Sequence, residues 1–178
     1  MENLYKLYCR SYKLDSETDR DFFEVVSDIY FSDEVQSLQQ YEQHLEIDRL
    51  QHITTVAYLT YKISKKAGID YKSATRAAVM HDLVYYDWRD GKTGGWHRLH
   101  GYKHPKYACM NAAELSPTLT NKESEIIKCH MWPLTLTPPK SKEGFVVTFA
   151  DKYCAAIEVY YSVNKKYRDK FTKMIEEL

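Results

Sequence analysis

Cysteine is sparse in this chain, and no two of its four cysteines (Cys9, Cys109, Cys129, Cys154) form a C-x-x-C pair. That absence argues against a zinc knuckle and a disulfide framework, and it predicts reduced thiols in a cytoplasmic protein. Excess charge is missing too, since 25 Lys plus Arg balance 25 Asp plus Glu. A neutral chain lacks the bulk electrostatic footprint of a protein that binds nucleic-acid polymers or membrane surfaces, although a local basic pocket is compatible with it. No apolar run approaches bilayer-spanning length, so no membrane partner is expected. Glu2, Lys6, Arg10 and Lys13 interrupt the first fourteen positions, unlike the apolar core of a secretory signal. Repeats and low-complexity tracts are absent as well.

Helical signals fill the remainder. At 178 residues the chain reads as one domain, 1–178, able to bury roughly two-thirds of its unfolded surface. Ser16 or Asp19 can cap a helix through Phe22, Phe23, Val26 and Tyr30, and Ser32 a second over Val35 and Leu38, which gives N-terminal helices within 16–40. The polar stretch Tyr41–Ile47 leads into a core spanning 48–162. His52, Val56, Leu59 and Ile63 recur at helical spacing between Asp48 and Gly68, so His52 shares the apolar face. Asp70 can cap an Ala-rich helix on which Ala74, Ala78, His81 and Tyr85 align with Asp82 beside them; its small side chains suit a central buried helix.

A Gly-containing loop follows from Trp88 to Lys103, with the basic residues His97, Arg98, His100 and Lys103. His104-Pro105 opens a helix running to about Leu115, with Pro105 at its favourable first position. Thr120 and Glu123 make a capping box for a helix carrying Ile126, Ile127 and His130. Ser141 precedes a long helix through Asp151 and Glu158, and an amphipathic helix at 165–177 closes the chain. No strand is expected, and the class is all-α, a single-domain helical bundle.

Four histidines and two aspartates (His52, His81, Asp82, His104, His130, Asp151) thus lie on inward faces or at buried helix ends. Alone, each histidine reads more simply as a hydrogen-bonded core residue. The carboxylates are harder to dismiss, because an uncompensated buried charge costs several kcal/mol. A shared cation would satisfy Asp82 and Asp151 together, with Lys152 or Arg76 as the competing explanation. Imidazole and carboxylate are the donors that divalent transition metals take. His81 and Asp82, roughly a hundred degrees apart on a helix, can approach one metal from two directions.

The order H…HD…H…H…D resembles the six-ligand branch of the HD-domain superfamily of metal-dependent phosphohydrolases. The stretches Leu99-His100-Gly101-Tyr102-Lys103-His104-Pro105, His130-Met131-Trp132-Pro133-Leu134 and Ala150-Asp151-Lys152 look like those of bacterial cytosolic HD-domain proteins of unassigned substrate. The resemblance implies that His52, His81, Asp82 and Asp151 hold one ion. Asp82 would bridge to a second ion held by His104 and His130, and is the residue to which a catalytic role falls. A metal-bound hydroxide would attack a small phosphate ester, a nucleotide being one such ester, with two divalent ions (Fe, Mn or Zn) as cofactor.

His97, Arg98, His100 and Lys103 could face the anionic substrate, and His100 could replace or supplement His104 as a ligand. Cyclic-di-GMP phosphodiesterases of the superfamily carry Gly-Tyr-Pro and a lysine shortly after HD. Leu83-Val84-Tyr85-Tyr86-Asp87 stands here instead and argues against that activity. Some six-ligand relatives are diiron oxygenases, such as myo-inositol oxygenase, and O2-dependent oxygenation on the same ligands is the first alternative. A binding or regulatory module with a structural metal is the second.

Overall fold

A computed structural model of the chain describes residues 3–44, 47–87 and 100–176. Its order is α1 (Leu4–Arg10), α2 (Arg20–Tyr30), α3 (Asp33–Gln36), β1 (Glu42–His44), β2 (Ile47–Asp48), α4 (Arg49–Ala67), α5 (Tyr71–Met80), α6 (His100–Leu115), α7 (Asn121–Cys129), α8 (Lys142–Val163) and α9 (Lys165–Glu176). Short 3-10 turns follow α1 and α3. The class is all-α, as the periodicities imply.

Local chemistry sets most boundaries. Asp48 accepts from the Gln51 amide at the start of α4, Asp70 from Ser73 at the start of α5, and Ser141 from Gly144 at the start of α8. Each satisfies a backbone donor that the first helical turn leaves orphaned. Thr120 and Glu123 form the full reciprocal capping box of α7. Gly68 ends α4 at φ 65, a left-handed conformation in which a Cβ would be strained.

Helix α4 is buried on nearly all sides and packs chiefly on α5 and α8. It therefore shares the central place expected of α5. Ala57 on α4 and Ala74, Ala77 and Ala78 on α5 are fully buried, and small side chains let helices approach closely. Both terminal regions join the same apolar core, through Leu7, Tyr8 and Cys9 of α1 and Phe171 of α9.

Five features depart from the sequence expectation. A two-stranded antiparallel ladder pairs Glu42 with Asp48 and His44 with Ile47, where a polar lead-in was expected. Helix α1 was unforeseen; its tyrosines and charges mask an inward face that Asn3 caps. Helix α5 stops at Met80, so His81 is its C-cap and Asp82 lies in the turn beyond. Likewise α7 stops at Cys129 and His130 is its C-cap. Finally, α6 starts at His100 and contains Pro105. The ring removes one interior hydrogen bond and crowds the carbonyl one turn back, yet 100–103 are helix rather than loop.

Candidate metal centre

The two C-cap histidines are built alike. His81 Nδ1 lies 2.7 Å from the Ala78 carbonyl, and His130 Nδ1 lies 2.7 Å from the Ile127 carbonyl. A carbonyl only accepts, so both rings carry their proton on Nδ1 and cover an orphan carbonyl of the last turn. Their Nε2 atoms are thereby aimed inward. His81 Nε2 is buried without a hydrogen-bond partner, 3.8 Å from Asp151 Oδ1 and 3.9 Å from Asp82 Oδ2.

His52 is fixed by a third device. Its Nδ1 lies 2.8 Å from Glu158 Oε2, and its Nε2 lies 3.3 Å from Asp151 Oδ1. A carboxylate behind a histidine that faces a metal fixes the ring orientation and raises its basicity. His52, His81 and Asp151 place one donor atom each within 4.8 Å of one another, and His81, Asp82 and His130 do the same. His104 stands beside the second group, with Nε2 3.1 Å from Asp82 Oδ1 and 2.9 Å from His130 Nε2. All six residues are buried, and they come from α4, the ends of α5 and α7, α6 and α8.

Asp82 occupies the middle. Its Oδ1 faces His104 and His130, while its Oδ2 accepts a 2.8 Å bond from Gln43 Nε2. Gln43 Oε1 in turn accepts from Arg49 Nε at 3.0 Å. Arg49 is only 1% exposed, and it also donates to the carbonyls of Val84 and Tyr86 just past the HD pair. This relay, from α4 through β1, holds the turn that carries Asp82.

Burial alone would raise the Asp82 carboxyl, but His81, His104 and His130 hold it well below the usual range. Asp151 is likewise raised by burial and overcompensated by His52 and His81, so it too stays ionised. Burial, with His104 and His81 adding to it, pushes His130 down to about 3 and keeps it neutral. For His52 burial works against protonation, yet the Glu158 and Asp151 carboxylates raise it well above the ordinary imidazole value. Two ionised carboxylates, the imidazole nitrogens gathered around them and a buried, unpartnered Nε2 suit a divalent transition metal once His52 gives up its proton.

A cavity of about 320 Å³ opens against Asp82, His104, His130 and Asp151. Of the residues expected to meet substrate, Lys103 lies half-buried on α6 outside this lining. His97, Arg98 and the side chain of His100 lie outside the described residues. Arg76 does not compete for the aspartates, because it pairs with Asp28 and Glu123. Lys152 does reach Asp151, at 2.6 Å.

Gln43, Arg49 and Glu158 escaped sequence reading. Glu158 had a usable signal, since it stands seven residues, or two helical turns, beyond Asp151 on the same face. Arg49 stands one turn before His52. Gln43 had no signal, because only the ladder of β1 brings it to Asp82.

An all-helical core that gathers histidines and aspartates from five helical elements around a buried centre defines a helical domain whose centre could hold a metal. The chain belongs to the HD-domain family, whose model matches residues 49–156, well over half its length. A 52-residue stretch is 36% identical to the Bacillus subtilis (strain 168) protein named "Putative phosphohydrolase YueE". That match covers 29% of this chain and 30% of the relative, so the chain spans less than a third of the relative's length. No solved structure is significantly similar to the chain. Among the described residues, no helix is long and apolar enough to cross a membrane.

Proposed function

We propose that this protein is a metal-dependent phosphohydrolase that cleaves a small phosphate ester at a dinuclear centre in the cytoplasm. One ion would be held by His52, His81, Asp82 and Asp151, the other by Asp82, His104 and His130. The observation that carries this reading is the buried His81 Nε2, unpartnered between two ionised carboxylates. The family match and the name of the Bacillus subtilis relative support hydrolysis of a phosphate ester. We extend the proposal to the organisation of the chain, with 48–162 as the metal-site core and the terminal helices packed on it as one domain.

The protein's own groups have defined tasks in this scheme. Asp82, whose Oδ1 faces His104 and His130 and whose Oδ2 lies towards His81, would help to hold both ions, and the catalytic role is assigned to it. Gln43 and Arg49 fix its rotamer. Glu158 holds the His52 ring so that Nε2 faces inward, and the C-cap carbonyls do the same for His81 and His130. Divalent ions, when bound, supply a water of lowered pKa and a clamp for phosphoryl oxygens. His97, Arg98, His100 and Lys103 are assigned to the substrate side, Arg98 as a bidentate fork for phosphate.

The test is hydrolysis by protein loaded with Mn²⁺ or Fe²⁺, read as phosphate release from a panel of monoesters and as release of alcohol and monoester from diesters. Turnover that disappears on chelation and in Asp82→Asn is the expected result. A loaded wild-type protein that hydrolyses none of them, yet consumes O2, would replace hydrolysis with oxygenation.

A further inference from the structure

The cavity beside the ligand cluster has two chemically distinct sides. One is the cluster itself; the other is apolar and is made by Met131, Leu134 and Ala155. Leu134 is 45% exposed, and a Cβ on residue 101 would lie 2.6 Å from its Cδ2. Gly101 therefore lets α6 pass close to this side chain at the cavity.

Lys152 stands between the two sides. Its Nζ is 2.6 Å from Asp151 Oδ2 and 3.3 Å from Met131 Sδ, and the side chain remains 39% exposed. Asp151 thus divides its oxygens, with Oδ1 towards His52 and His81 and Oδ2 towards the lysine. An ammonium has three donors, and a thioether is a weak acceptor. One carboxylate oxygen therefore leaves donor capacity at the cavity. A cation at the cluster would further draw off the Asp151 charge and leave the lysine's positive charge for an anion in the cavity.

We propose that this cavity is a two-part substrate subsite. Lys152 binds the phosphoryl oxygens, and Met131, Leu134 and Ala155 receive a flat, apolar group esterified to them. The preferred substrates are then phosphate esters of aryl-like alcohols rather than of polyols. The cavity's volume, about 320 Å³, sits at the lower end of small-ligand pockets. The inference rests on the hydrolase reading above.

The experiment uses the metal-loaded full chain with phenyl phosphate and glycerol 2-phosphate as substrates and inorganic phosphate as the inhibitor. Lys152→Met should weaken phosphate inhibition and raise KM for phenyl phosphate by about tenfold, the scale of one charge-assisted bond, with metal content retained. Lys152→Arg should restore part of both. Leu134→Asn should lower the preference for the phenyl ester by about tenfold and leave phosphate inhibition in place. Unchanged phosphate inhibition in Lys152→Met, or equal kcat/KM for the two esters in the wild type, overturns the inference while the hydrolase reading stands. Loss of metal in Lys152→Met overturns it differently, by making the lysine a support for Asp151 alone. If loaded wild-type protein neither binds inorganic phosphate by calorimetry nor cleaves either ester, the hydrolase reading falls and takes the subsite with it.

Discussion

His52 illustrates how one side chain links folding to metal uptake. Burial opposes its protonation, but Glu158 on Nδ1 and Asp151 near Nε2 raise it well above the ordinary value, so the metal-free protein carries an imidazolium there at neutral pH. The raised folded pKa contributes stability that is fully present below about 6.5, the unfolded value, and is lost as pH rises through the folded pKa. Asp82 and Asp151 run the other way: their depressed values give stability above about 3.9 that is lost as pH falls through the folded pKa. Metal can reach His52 Nε2 only by displacing its proton. Calorimetric titration in buffers of different ionisation enthalpy should therefore detect one proton released as the site containing His52 fills. Glu158→Gln should reduce that release and weaken metal affinity by about 10–100-fold, the usual effect of losing such a partner. Proton-free binding in the wild type would mean that His52 is neutral beforehand and that its pairing with Glu158 has been misread.

Among the elements, the α4–Gly68–α5 corner matters most, because it fixes the separation of His52 from His81. Gly68 adopts φ 65, and nothing lies within 4 Å of where its Cβ would be. Gly68→Ala should therefore cost only backbone strain, about 1 kcal/mol, seen as a fall in Tm of roughly 2–4 °C. Metal content should be retained, and a lost ion would show that the corner tolerates less movement than the open space implies. Much at this scale was legible: Asp48, Asp70, Thr120 and Ser141 announce helix starts through side chains that bond their own backbone. Helix ends were less legible. His81 and His130 terminate α5 and α7 through ring-to-carbonyl bonds that no periodicity displays, and Tyr85 consequently does not continue the α5 face. The ladder of β1 and β2 was hidden because so short a pairing depends on the core beneath it. Gln43, brought to Asp82 by that ladder, was hidden with it, while the six ordered candidate residues stood out because they fell on inward faces or at buried helix ends.

Across the whole molecule, the centre ties α4, α5, α6, α7 and α8 together at one point, with like-charged and desolvated groups that nothing else in the core requires. Ions that bind only the folded state should stabilise all five elements at once, by about 2.7 kcal/mol when free metal is a hundredfold above Kd. Chelation should lower Tm in a single transition, and re-addition of Mn²⁺ or Fe²⁺ should restore it. A melting curve indifferent to chelator would make the cluster a buried polar network without a resident ion. The decisive quantity is the number of ions per chain, because six donors exceed the need of one ion with an open position. Elemental analysis of fully loaded protein should find about two, and Asp82→Asn, which keeps the side-chain volume but removes the bridging charge, should lose at least one. One ion or fewer in the wild type, or two retained in Asp82→Asn, would contradict the bridging role given to Asp82.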